Sequence, residues 1–247
     1  MLVSLIVLGT AIVMILIEVL RPGRAWPQVA GWWLRAALLN GIQAAMVFLA
    51  GGLWDGWMLQ NRPWSADELG TTGGAMIGYL AITCVYYWWH RWRHEVSVLW
   101  RWFHQIHHSP QRIEIITSFY KHPFEIFLNS VLSSAILYLG VGLGPAAAAQ
   151  AVLLSGLAEL FYHWNVRTPH WLGYVFQRPE SHCVHHQEGL HAHNYADLPV
   201  WDIVFGTFHN PRDWQARCGF GLHGEGRLVE MLSGVDIHQS ETLGSQA

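Results

Sequence analysis

Five stretches of this chain are almost purely apolar, at 2–17, 36–53, 72–89, 124–139 and 146–162. A helix needs about 20 apolar residues to cross a bilayer, and lipid leaves no partner for an unpaired backbone group. The pattern therefore predicts an all-α integral-membrane bundle of four to five transmembrane helices. The last two stretches are the shortest, and residues 140–145, rich in Gly and ending in Pro145, separate them. Such a turn reverses the chain tightly, so the pair is either a full hairpin or a re-entrant one. Only 13% of the residues are charged, against about 25% in an ordinary soluble domain; a lipid-facing surface accounts for the deficit. The first stretch has no basic residue before it and no small-residue cleavage site after it. It reads as a retained anchor, not a cleaved signal peptide.

Charge sets the expected orientation. Arg21, Arg24 and Arg35 flank the first connection, and Arg91, Arg93, Arg101, Arg112 and Lys121 follow the third stretch. Arg167, Arg178, Arg212 and Arg217 follow the fifth, whereas the loop 54–71 sets Arg62 against Asp55, Asp67 and Glu68. Basic loops stay inside, which places 21–35, 90–123 and 164–247 in the cytoplasm and the amino terminus outside. The short chain, without a long targeting segment, points to a bacterial inner membrane. A net charge of −3 gives no basic footprint, so nucleic acid is not an expected partner. Cys84, Cys183 and Cys218 are scattered and odd in number, which argues against a disulfide framework. Many of the tryptophans sit at the ends of the apolar stretches, where indole rings favour the interface. No glycine-rich nucleotide loop or haem-attachment cysteine pair is present.

Histidine is the second constraint. His90-x3-His94, His104-x2-His107-His108 and His182-x2-His185-His186 hold eight of the sixteen histidines. Residues three and four apart share one face of a helix, so each cluster is expected to present its imidazoles in one direction. Eight donors exceed the needs of one metal and suit two. Imidazole-only ligation fits iron, copper, nickel or zinc, and the absence of a Cys-x2-Cys pair argues against a structural zinc site. All three clusters fall on the predicted cytoplasmic side.

The run from Tyr87 to Glu95, then Leu99-Trp100 and His104 to Ser109, resembles the fatty acid hydroxylase / sterol desaturase superfamily of integral-membrane di-iron oxidoreductases. The likeness continues through Tyr120 to Glu125, His163-Trp-Asn165-Val-Arg167, Arg178 to His186, and Asn194-Tyr195 leading to Trp201-Asp202-x2-Phe205-Gly206-Thr207. It covers roughly 75–210. The resemblance implies that His90, His94, His104, His107, His108, His182, His185 and His186 bind two iron ions, with His163 as a ninth ligand. It also brings in Glu159, one turn before His163, as a ligand or as a partner that orients His163. His122 could be a ligand, a partner of one, or a helix-start residue before Pro123. Asn194 and Asp202 are further candidates, as ligands or as groups that hold one. Glu95, Glu125, Asp197 and Asp202 are expected to accept N–H bonds from bound imidazoles. His191 and His193 read as loop residues near the site entrance, His170, His209, His223 and His238 as surface groups, and Cys183 as a packing residue.

The expected organisation is a single membrane domain, 1–247. It comprises amino-terminal transmembrane helices (1–70), a histidine-box region (71–210) and a cytoplasmic tail (211–247) that caps the bundle. The implied activity uses O2 and electrons from a separate cytosolic or membrane donor to hydroxylate a C–H bond of a lipid or other hydrophobic substrate. Zinc can replace iron in purified protein. Desaturation on the same centre is the alternative within the enzyme class; a histidine-rich metal transporter or sensor is the alternative outside it. A transporter would want its ligands near the membrane midplane, whereas these clusters lie at or beyond the ends of the apolar stretches.

Overall fold

The computed structural model describes residues 2–238, so 239–247 of the predicted tail lie outside the described residues. It is helical, with no strand among the described residues and one isolated bridge, Gln187 to Cys218. Helix α1 is Leu2–Leu20 and α2 is Trp32–Gln60, the latter widened by a π-helical turn at Gly51–Asp55. Helix α3 is Gly70–Glu95, followed by the short α4 (Ser97–Phe103) and the single turn α5 (Gln105–His108). Helices α6 (Pro123–Val141, π-helical in its last part) and α7 (Pro145–His163) form a hairpin. Short helices α8 (Pro179–His185), α9 (Pro199–Val204) and α10 (Leu228–Leu232) follow. Among the described residues, four helices are long and apolar enough to cross a membrane: α2, α3 with the turn before it, α6 and α7. The apolar run of α1, Leu5–Leu20, is shorter. The outward faces of α1 and α2 expose Leu8, Ile12, Leu16, Leu34, Leu38 and Phe48, a continuous apolar surface of the kind lipid covers.

Proline opens many of these helices. Pro123, Pro145, Pro179 and Pro199 each occupy a first-turn position, where the missing N–H is not needed and φ is already helical. The α6–α7 reversal uses Gly142 at φ 80°, and a Cβ there would meet Trp64 at 2.6 Å. The bundle's central contact is α3 on α7. Gly74 and Gly78, four apart on one face of α3, let the helices approach; a Cβ on Gly78 would lie 2.7 Å from Leu143 and 3.1 Å from Ala151. In lipid, small residues at such spacing allow close packing where hydrophobic burial gives no drive.

One end of the bundle carries a dense set of polar cross-links. Glu18, buried near the end of α1, accepts from the backbone N–H of Ile115 and Asn165. At the start of α2, Trp32 donates to Glu114 (2.7 Å) and Arg35 pairs with Glu225 (2.7 Å). Leu228, Met231 and Ile237 of the tail pack with Trp100, Ile106 and Tyr120 into one core. The end of α3, the start of α6 and the end of α7 meet at this same end. The opposite end is a small turn where Arg62 donates to Asp67 and to the carbonyl of Gly142.

The second histidine cluster departs from expectation. It does not lie on one helix: His104 sits at φ −147°, ψ −28°, between α4 and α5. The chain kinks there, and His107 and His108 belong to the turn beyond.

Candidate metal centre

Nine histidines converge at the cross-linked end, in two groups. His90, His94, His104, His108 and His185 form one; His107, His163, His182 and His186 form the other. Within each group every donor atom lies within 4.8 Å of every other. The groups cut across the sequence clusters. His107 and His108 are neighbours, yet a step of about 100° around a helix sends them to different groups. His185 likewise leaves His182 and His186 and joins the five-membered set.

The five-histidine group shows one pattern: in His90, His104, His108 and His185 the Nδ1 meets a protein group, and the Nε2 atoms face inward. His90 Nδ1 bonds the carbonyl of Tyr195 (2.7 Å), and His185 Nδ1 that of His193 (2.7 Å). The His94 ring faces the backbone of His191. His108 Nδ1 lies 3.1 Å from His191 Nδ1, and His104 Nδ1 lies 3.3 Å from Glu125 Oε1. The Nε2 atoms of His90, His94 and His185 are buried with no hydrogen-bond partner, while those of His104 and His108 face each other at 3.1 Å. Two of the acceptors are carbonyls of a single loop, at 193 and 195, and the backbone at 191 faces a third ring. That loop contains the positive-φ non-glycine residues found among the described residues, His191, His193 and Asn194. Strained backbone concentrates where a site dictates geometry.

Two candidates brace this loop and bind nothing in either group. Asp202 accepts from the N–H of Tyr195 (2.8 Å) and Ala196 (3.0 Å) and from the Thr207 hydroxyl. Asn194 donates to the carbonyls of Ser181 and His209 and accepts from His209 N–H.

The four-histidine group is held by helices. His163 ends α7, its Nδ1 on the carbonyl of Glu159 one turn back (2.9 Å), and its Nε2 lies 3.0 Å from His182 Nε2. His186 Nε2 is also 3.0 Å from His182 Nε2. The Nδ1 atoms of His107 and His186 are buried without a partner. The start of α8 is fixed by Arg178, a fully buried guanidinium that binds Thr168, Asn210 and Pro211 and pairs with Glu180. The Tyr162 ring lies 4.4 Å from that of His182, tilted by 51°.

Several expected partners lie elsewhere. The Glu159 carboxylate forms an ion pair with Lys121 and reaches no imidazole; its backbone carbonyl does that work. His122 caps α6, accepting from Phe124 N–H (3.0 Å), outside both groups. Glu95 pairs with Arg91 at the surface, and Asp197 meets Ser155. Of the acidic acceptors read from sequence, Glu125 is the one in contact with a box imidazole; it also pairs with buried Arg93. Cys183 packs against Ile113, Trp214 and Cys218. Sequence reasoning missed the loop carbonyls, which carry no side-chain signal, and Arg93 and Arg178, which were read as orientation charges or motif letters.

Burial controls the electrostatics. It holds His104, His107, His108, His182 and His186 well below the usual imidazole value, helped by the neighbouring rings. It pushes His185 down to about 3. These rings are neutral at pH 7, the state in which imidazole binds a metal. Orphaned, buried, convergent lone pairs are costly without a partner, and two cations would satisfy them.

Comparison with known proteins identifies the family. The family model for fatty acid hydroxylase matches residues 75–207, more than half of the chain. Human alkylglycerol monooxygenase is 30% identical over 160 residues, 63% of this chain and 34% of that protein. The ornithine lipid hydroxylase OlsE of Rhizobium tropici is 35% identical over 127 residues, 49% of this chain and 38% of that protein. A rice very-long-chain aldehyde decarbonylase, GL1-9, is 28% identical over 144 residues, covering 55% of this chain and 54% of that protein. The chain thus spans about a third of the length of the alkylglycerol monooxygenase it matches. No solved structure matches it.

Proposed function

The chain belongs to the fatty acid hydroxylase family, and we propose that it is a membrane-bound non-haem di-iron oxidoreductase that hydroxylates a C–H bond of a lipid. The observation that carries this reading is the division of nine histidines into two adjacent donor groups. All-imidazole sites of this kind suit iron and, in purified protein, zinc. Two irons held there would supply the activation of O2 and the oxidation of an unactivated C–H bond, with electrons from a separate cytosolic or membrane donor.

The protein's own part is positional. Loop 191–195 and Glu125 fix the ring planes of the five-histidine group, while α7 and α8 fix the four-histidine group. Tyr195 lies 5.3–5.5 Å from the rings of His90, His94 and His185, and Trp100 lies 5.4 Å from His94 and His108. These aromatic walls exclude water from the donors. The groups stand where α3 and α7 end, so a lipid tail enters from the bilayer while electrons arrive from the aqueous side. That side is the cytoplasm, with the amino terminus outside, in a bacterial inner membrane. The relatives' names, a monooxygenase and a hydroxylase, favour hydroxylation over desaturation, and a lipid with a long alkyl chain as substrate.

The test measures metal and oxygen together. Full-length protein purified in detergent from iron-supplemented cells is expected to carry about two irons per chain. It should take up O2 only when a reductant and a lipid extract are present. His107→Ala and His185→Ala, one from each group, should lose iron and turnover. Normal turnover by either variant sinks the di-iron reading, and tightly held zinc without O2 uptake after iron reconstitution moves the protein to the sensor or transporter class.

A further inference from the structure

We propose that His191 is a positioning residue that sets two members of the five-histidine group at once, and that the chain beyond the family match holds it in place. This rests on reading the two groups as metal sites. His191 is 6% exposed and adopts φ 42°, a left-handed conformation that disfavours any residue with a Cβ. Glycine would take that conformation without strain, so a ring at this position needs a reason.

The contacts supply one. The His191 backbone faces the His94 ring, and the His191 Nδ1 lies 3.1 Å from Nδ1 of His108. His108 directs its Nε2 at His104 Nε2, into the group. An imidazole that gives its Nε2 lone pair to a cation keeps its proton on Nδ1. That proton then bonds the lone pair of His191 Nδ1, which leaves the His191 proton on Nε2. One residue thereby fixes the orientation of one ligand through its backbone, and the orientation and tautomer of another through its ring.

The His191 ring is walled by Trp100 (5.8 Å between centroids), Phe220 (5.5 Å) and His238 (4.9 Å). Phe220 and His238 lie beyond residue 207, where the family match ends. The tail that ties α2 to the cap through Glu225 and Arg35 therefore also completes the surroundings of one donor group. No hydrogen bond among the described residues links His191 to the four-histidine group. Its hydrogen bonds thus reach one group, and the ring of His186 in the other is touched only through His108, stacked on it at 4.1 Å.

Cobalt(II) titration of the metal-free full-length protein in detergent, under anaerobic conditions, tests this. Wild type should take up two cobalt ions per chain, each with its own absorption bands. His191→Gly keeps the carbonyl and the left-handed backbone and removes only the ring. It is expected to weaken one of the two sites by roughly 10–100-fold and to leave the other unchanged. His191→Asn should restore that site, because Asn tolerates the conformation and carries its Oδ1 where His carries Nδ1. The proposal is overturned if the Gly variant binds both ions as wild type does, or if the Asn variant loses as much as the Gly variant. Should the Gly variant fail to fold, the Asn variant decides alone, by retaining or losing the same site. A wild-type protein that takes up no cobalt refutes the metal-centre reading itself, a result distinct from both.

Discussion

Glu125 offers a way to separate what stabilises the fold from what orients a ligand. It is fully buried at the start of α6, pairs with Arg93, itself 4% exposed, and faces His104 Nδ1 at 3.3 Å. Glu125→Gln removes the negative charge while keeping the shape. Arg93 then remains as an uncompensated cation among neutral imidazoles. Breaking a buried pair in this way costs about 3–5 kcal/mol, a large share of the roughly 5–15 kcal/mol that holds a typical protein together. For a chain of this length about 1 kcal/mol moves the melting temperature by roughly 2–4 °C, so a fall of roughly 10 °C is expected by thermal unfolding in detergent. Removing both partners in Arg93→Met/Glu125→Leu takes away the stranded charge and should recover most of that loss. Metal content should not recover, because His104 still lacks its acceptor. A single variant within about 1 kcal/mol of wild type would refute the energetic argument. A double variant that regains full metal content would refute the role of Glu125 in orienting His104.

His163→Ala is expected to lose about one metal per chain and all turnover. His122→Ala should keep both metals and cost only about 1 kcal/mol for a lost helix cap; metal counting on the two purified variants checks this. Gly78→Val should destabilise the α3–α7 contact, since a Cβ alone already comes within 2.7 Å of Leu143. Gly73→Ala, one position before Gly74 and with nothing nearer than 3.8 Å, should be neutral or stabilising by about 0.5–1 kcal/mol, as thermal unfolding of both will show. Stability of the metal-free protein should fall as pH drops from 7 to 5. His185, held at about 3 in the fold, stays neutral while the unfolded chain gains a proton below about 6.5, so its contribution is full above that value and lost as pH falls. At pH 5.5 this amounts to about 1.4 kcal/mol for the one ring. Asp197, pushed up to about 7 by burial, and Asp202, pushed up to about 6, act in the opposite sense, as does the buried carboxylate of Glu125, but His104, His107, His108, His182 and His186 add to the side of His185 and outnumber them. A melting temperature that rises on acidification would contradict this balance.

Much of this was legible in the sequence because it depends on short-range rules. Apolar runs of 16 to 18 residues can only be helices in lipid, Pro at 123, 145, 179 and 199 marks first turns, and His-x2-His-His has the spacing of a helix face. The bundle and the clustering of the box histidines follow from such local periodicity, whereas the ligand role of those histidines and of His163 was what the family resemblance implied. What local periodicity cannot encode is which donors meet. His107 and His108 part company, and His185 leaves its own cluster, because the kink at His104 and the packing of α8 against α7 decide where each ring arrives. The different fates of Glu125, which faces a ring as expected, and Glu159, which does not, have the same origin: both are single acidic residues on apolar helices, and only the neighbouring cation, Arg93 or Lys121, and the rotation of the helix decide which of them faces a ring. The acceptors at 193 and 195 are backbone carbonyls, chemically alike at every position, so their function is created by the loop's conformation. The sequence by itself determined that two metals' worth of imidazole would gather at one end of a membrane bundle; tertiary structure alone decided how they divide and what holds each ring, because those depend on contacts between residues up to about a hundred positions apart.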